Sequence, residues 1–157
     1  MNIALIQIGK TDAAYVREGV EEYLKRINRY VKFDGVTIPD VKNTRKLTED
    51  QQKIQEGKAI LAQLAASDYV VLLDEKGRQG SSPEFAEWLQ KRMNAGVKRL
   101  CFVIGGPYGF SKELYARANE MVSLSRMTFS HQLVRVVFAE QLYRAFTILN
   151  NEPYHHE

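Results

Sequence analysis

The sequence predicts an α/β fold, a parallel sheet with helices on both faces, and three observations carry that expectation. Short apolar runs alternate with stretches of helical periodicity along the whole chain. The runs Tyr69–Leu73 and Leu100–Ile104 are continuously apolar, the pattern of strands covered on both faces. In the last third, two strand ends lead into unusual loops: a glycine loop at residues 105–109, and a polar stretch that launches a helix carrying His131 and Arg135. Ligands in open α/β sheets sit beyond the carboxyl ends of the strands.

Taken in order, Asn2–Ile8 is apolar, ends at Gly9 and reads as a first strand. Asp12 is a candidate cap for a helix over 13–29, in which Val16, Val20, Tyr23, Leu24 and Ile27 recur at helical spacing. Phe33–Pro39 alternates as a second strand, and Asp40–Leu47 is a polar, basic loop. Thr48 and Gln51 form a capping-box pair opening a helix to about Ala66. Tyr69–Leu73 is a central strand, closed by a glycine turn over Asp74–Gly77. Ser82 and Pro83 start a helix with Phe85, Leu89 and Met93 on one side and Gly96 as its stop. Leu100–Ile104 is the fourth strand, Ser111 caps a short helix, and Met121–Leu124 is the fifth strand. His131–Asn150 is the last helix, with Ser130 as its cap. No linker, repeat or low-complexity segment interrupts the pattern, so residues 1–157 are expected to form one domain.

Composition narrows the class. The chain is 45% hydrophobic and 26% charged, with a net charge of +3, as expected of a folded globular protein that is mildly basic. That surplus permits nucleic-acid binding without demanding it. The single cysteine, Cys101, lies inside an apolar run and reads as a core residue, which leaves no disulfide framework. No apolar run approaches the roughly 20 residues of a membrane span and no signal peptide opens the chain, so a cytoplasmic protein without membrane contact is expected. The histidines, two of them adjacent at 155 and 156, lack metal-ligand spacing, and no metal is expected.

Two phosphate-binding motifs are excluded. Gly9-Lys10-Thr11 resembles the end of a P-loop, but Ala4 stands where the pattern needs a glycine. The first strand-to-helix turn also lacks Gly-x-Gly-x-x-Gly, which disfavours a flavodoxin-like or Rossmann nucleotide binder. Gly105-Gly106-Pro107-Tyr108-Gly109 is a better candidate. Three glycines directly after a buried strand allow positive φ and let a ligand approach the backbone. The Asp74–Gly77 turn shares that crevice if the third and fourth strands are neighbours.

The last helix is apolar almost all round. His131, Arg135, Phe138 and Leu142 fall on one face, and Leu133, Val136, Val137, Glu140 and Tyr143 lie largely on the other. The sheet covers one side only, and a second copy of the chain is the simplest cover for the rest. Glu140 and Arg144, four apart, are expected to pair. The tail Pro153-Tyr154-His155-His156-Glu157 either frays or folds back over the crevice.

The residues carry a resemblance. Leu73-Asp74-x-x-Gly77, Ile104-Gly105-Gly106-Pro107-x-Gly109, the stretch from Ser123 to Arg135 (Ser-Leu-Ser-x-Met-Thr-Phe-x-His-Gln-Leu-x-Arg), Glu140–Ala145 and Pro153-Tyr154-His155 together resemble the RlmH family. These are small bacterial SPOUT-class methyltransferases, and the likeness runs from residue 1 to the tail. It implies a C-terminal trefoil knot, a homodimer packed through the knot region, and S-adenosylmethionine (SAM) as methyl donor. The implied acceptor is pseudouridine N3 of large-subunit ribosomal RNA within the assembled ribosome. Carried onto this chain, the cofactor contacts are Leu73, Gly105, Leu124, Ser125, Arg126, Met127, Thr128 and Phe129. Tyr108 departs from the family, where Glu or Asn is frequent, so no role rests on a carboxylate or amide there.

An imide N–H is a poor nucleophile until it loses its proton, so a base or a cationic neighbour is expected to help. The catalytic candidates are Arg135 and His155, then Tyr154 and His131. The alternatives are a SPOUT methyltransferase acting on another RNA such as tRNA, and a non-catalytic ribosome-binding module.

Overall fold

The computed structural model describes residues 1–156; Glu157, the end of the tail considered above, lies outside them. Strands β1 (Asn2–Ile8), β2 (Lys32–Ile38), β3 (Tyr69–Arg78), β4 (Arg99–Ile104) and β5 (Glu120–Val122) form one sheet in the order β2-β1-β4-β3-β5. Every neighbouring pair is parallel. Helices α1 (Ala14–Ile27), α2 (Glu49–Leu61), α3 (Ser82–Asn94), α4 (Lys112–Arg117) and α5 (Leu133–Leu149) cover both faces.

Side-chain alternation along the strands separates two cores. Leu100, Phe102 and Ile104 of β4 face one cluster, shared with Ile27 of α1, Leu89 of α3, and Phe138, Leu142 and Phe146 of α5. Cys101 and Val103 face the other, built with Ile60 of α2, Leu114 of α4 and Phe110. Helices α1, α3 and α5 therefore lie on one face and α2 and α4 on the opposite one, as the alternating pattern predicts. Cys101 is a buried, free core thiol. Among the described residues no helix is long and apolar enough to cross a membrane.

Most helix starts follow their local signals. Thr48 with Gln51, and Ser81 with Glu84, form complete capping boxes, and Ser111 Oγ accepts from Leu114 N–H. Gly96 takes a left-handed φ of 77° just past α3, the conformation that stops the helix. Other boundaries differ from the sequence reading. Asp12 does not cap α1; its N–H is taken by Gln132 Oε1, and Ala13 stands at the cap without a side-chain bond. Helix α2 stops at Leu61 rather than Ala66, and β5 is shifted to Glu120–Val122.

The largest difference concerns β3. The chain does not turn over Asp74–Gly77 but continues extended to Arg78, re-pairing with Val122 after a register shift. Gly77 serves close approach rather than a turn: a Cβ there would lie 2.6 Å from Val122 N and 2.7 Å from the Met121 carbonyl carbon. The two backbone segments approach there with no room for a side chain.

Candidate active site

The carboxyl ends of β3, β4 and β5 meet on one edge of the sheet, because these strands are neighbours in the order β4-β3-β5. Above them lies a cleft of about 540 Å³ lined by residues from all three strand ends and within the size range of small-molecule sites. Of the residues that the resemblance assigns to the cofactor, Leu73, Gly105, Leu124, Ser125, Met127, Thr128 and Phe129 line it, together with His131. Arg126 is the exception: it is exposed and does not line the cleft. Asp74, Glu75 and Lys76 line it too, as expected once β3 and β4 are neighbours, whereas Tyr115 of α4 was missed by the sequence reading. No motif marks Tyr115, which reaches the cleft only because α4 packs beside the glycine loop.

The glycines act differently from one another. Only Gly109 uses positive φ, at 86°. At Gly105 a Cβ would press on the Phe110 ring at 3.0 Å, so glycine there keeps the loop against its own core residue. The loop closes on itself through Gly109 N–H to the Gly106 carbonyl. On the opposite wall, Ser125 Oγ accepts from Met127 N–H, and Ser123 Oγ donates to the Ser125 carbonyl, shaping the 123–127 turn. Thr128 Oγ1 donates to Glu75 Oε2 at 3.0 Å, tying that turn to the end of β3. Asp74 accepts from Lys76 N–H and from the Tyr115 hydroxyl, and burial together with that carboxylate holds the Tyr115 phenol above its usual range. Met127, at 79% exposure, is an apolar side chain presented to whatever enters.

Arg135 is not in the cleft. It is fully buried, and its guanidinium donates to the carbonyls of Ile8 (2.7 Å) and Gly9 (3.0 Å), to Thr11 Oγ1 and to the His131 carbonyl. Burial lowers its affinity for the proton, an effect that Asp12 and Asp40 oppose. Through these bonds Arg135 fastens the start of α5 to the end of β1. Gln132, which the sequence reading passed over, does the same beside it, accepting from Asp12 N–H and donating to the Lys10 carbonyl.

Tyr154 and His155 lie elsewhere again. The Tyr154 ring meets Tyr143 edge-on at 4.7 Å, with the Arg144 guanidinium 4.8 Å from its centroid. His155 Nδ1 is 3.1 Å from Arg144 Nη1, and Arg144 pairs with Glu140 through Nε at 2.9 Å, as expected from their spacing. At 1.5 Å per residue, Arg144 is about 16 Å along α5 from Leu133, which sits beside the cleft. The tail of a chain therefore does not fold over its own cleft.

Helix α5 is also better covered than the sequence reading assumes. Besides the sheet, α1 and α3 flank it, and Phe138, Ala139, Leu142, Ala145 and Phe146 are buried. Val136, Val137 and Tyr143 are half-buried, and Leu133 is 37% exposed.

The comparisons agree with this geometry. A family model described as "Predicted SPOUT methyltransferase" matches residues 1–155. A protein of Christiangramia forsetii named ribosomal RNA large subunit methyltransferase H is 59% identical over 156 residues, 99% of each chain. Proteins of the same name from Parabacteroides distasonis and Bacteroides thetaiotaomicron are 56% and 50% identical over 157 residues, 100% of each chain. The structure of a probable methylase family protein from Haemophilus influenzae matches with a TM-score of 0.54 at 14% identity, covering 99% of this chain and 71% of that one, a likeness of fold. A cleft at the ends of β3, β4 and β5, walled by the residues of the sequence resemblance, thus coincides with full-length similarity, and the chain belongs to the SPOUT methyltransferases, among the large-subunit ribosomal RNA methyltransferase H proteins.

Proposed function

We propose that this protein is a cytoplasmic, SAM-dependent enzyme that methylates N3 of a pseudouridine in large-subunit ribosomal RNA on the assembled ribosome, acting as a homodimer. The observation that carries the reading is the cleft itself. Seven residues expected to contact SAM, scattered from Leu73 to Phe129, converge on one space of suitable size. The names of the full-length relatives support the substrate class. The trefoil knot belongs to the same reading, through the family.

The residues present suit a sulfonium donor. Asp74 and Glu75 place carboxylates in the wall, where a cationic group is favoured over a neutral one. Gly105 and Gly106 hold the loop against Phe110 and Glu56 at the floor of the cleft, and Leu124, Ser125 and Met127–Phe129 supply the facing wall. When bound, SAM supplies an electrophilic methyl group. The protein's own task is to hold the acceptor nitrogen in line and to take its proton. His131 stands at the mouth for that purpose. Tyr154 and His155 serve it only if the tail reaches the cleft of a second copy, and the half-exposed strip of α5 is the surface on which that copy would sit.

The test is methyl transfer from labelled SAM to assembled ribosomes, free ribosomal RNA and tRNA in parallel. Label in large-subunit RNA from ribosomes alone is the expected result. Transfer to tRNA would favour a different RNA substrate, and SAM or ribosome binding without transfer would favour a non-catalytic module.

A further inference from the structure

Glu56 is a buried carboxylic acid that the reaction does not use. It sits in α2, on the opposite face of the sheet from α5, and is only 3% exposed. Gln52 Nε2 donates to its Oε2 at 3.3 Å, while Oε1 is buried with no hydrogen-bond partner among the described residues. Its carboxyl group lies directly beneath the glycine loop. A Cβ on Gly106 would come within 2.6 Å of Oε1 and 2.8 Å of the carboxyl carbon. The next residue repeats the arrangement, since a Cβ on Gly57 would strike the Ser111 side chain at the cap of α4. Helix α2 is therefore pressed against both ends of the 105–111 segment, with Glu56 under one end and Gly57 under the other.

We propose that Glu56 is a positioning residue for the SAM cleft: its buried carboxyl group fills the space below Gly106 and sets the height of the Gly105–Gly106 backbone against the ligand. The inference rests on reading the cleft as the SAM site. Among the described residues Gln52 is the one donor to Glu56 and the one neighbour that favours a charge there, while Asp40, the charged group that acts on it, has the same sign. Burial first, and Asp40 second, hold the carboxyl above the usual carboxylate range, with Gln52 opposing them. A carboxylate formed in that position has to leave for water or pull the loop with it, because burying an unpaired charge is costly. The support under Gly106 is then withdrawn. The sign follows: the raised acid favours the folded, loop-supported state at low pH, and that advantage fades as pH rises through its folded value.

Calorimetric SAM titration of wild type, Glu56→Gln and Glu56→Ala tests this, with hydrogen exchange of amides 105–111 measured on the SAM-free proteins. Glu56→Gln keeps the shape without the charge and should bind SAM like wild type at low pH. As pH rises, wild type should weaken relative to Glu56→Gln. Glu56→Ala should bind about ten-fold more weakly or worse and exchange faster across 105–111. Unchanged affinity in Glu56→Ala, or parallel pH profiles for wild type and Glu56→Gln, overturns the proposal. Should Glu56→Ala not fold, the pH comparison decides alone. Failure of the wild type to bind SAM at any pH would instead overturn the reading of the cleft, and the exchange rates then judge the role of Glu56 separately.

Discussion

Strands β1 and β4 are parallel neighbours, each running into a glycine at the carboxyl edge of the sheet, yet one end is sealed and the other is open. After β1, Gly9 turns with φ 78° and donates to the Ile38 carbonyl, and the Asp40 carboxylate fills the space a side chain would need. Arg135 and Gln132 then take the carbonyls of Ile8, Gly9 and Lys10. After β4, the glycine loop bonds to itself and faces a cleft. The difference does not lie in the glycines. It lies in the C-terminal segment, which passes over both ends: Leu124, Ser125 and residues 127–131 wall the cleft, while Gln132 and Arg135 close the neighbouring turn. One short motif thus builds the site and blocks its rival.

Removing the seal should have the largest effect. Arg135→Ala leaves buried carbonyls without donors and should cost about 3–5 kcal/mol of stability, read as a lower urea midpoint. A variant that keeps wild-type stability but loses turnover would return Arg135 to the chemistry. Next comes the tail. Deleting the chain from Pro153 should leave SAM affinity nearly intact and lower turnover by about 10²–10⁴-fold, measured in single-turnover assays. Full turnover without the tail would leave His131 as the remaining candidate.

Closing the open end is the third comparison. Gly105→Val drives a side chain into the Phe110 ring and the Gly109 carbonyl, displacing the loop, and should raise the SAM dissociation constant by about ten-fold or more, with little change in far-ultraviolet circular dichroism. Unaltered affinity in a folded variant would move the site elsewhere. The smallest effect is expected at the Glu140–Arg144 pair, which is i,i+4 and partly exposed. Glu140→Gln should cost about 0.5 kcal/mol or less in thermal melts. A much larger loss would mean that the pair supports the tail as well as the helix.

Elements with strong local signals were legible in the sequence. The Thr48 and Ser111 caps, the Gly96 stop and the apolar runs of β1 and β4 are dictated by neighbours in the chain. The cleft lining was legible from Leu73 to Phe129 through the resemblance, with Arg126 the exception because its side chain points to solvent. The misreadings share one cause: a residue whose partner is distant in sequence. Gly77 looks like a turn until Met121 and Val122 are laid against it. The partners of Arg135 could not be read either, since the carbonyls of Ile8 and Gly9 that take its donors lie more than 120 positions away. Asp12 looks like a cap until Gln132 occupies its N–H. Helix α5 looks uncovered until α1 and α3 close on its flanks.

The contrast between the two strand ends is most directly tested by the footprint of SAM in amide hydrogen exchange on the intact protein. Protection should appear at 73–76, 105–110 and 124–131, with the Gly9–Asp12 turn and the basic 40–47 loop unchanged. Protection centred on Gly9–Asp12, with the glycine loop after β4 unaffected, would contradict the account.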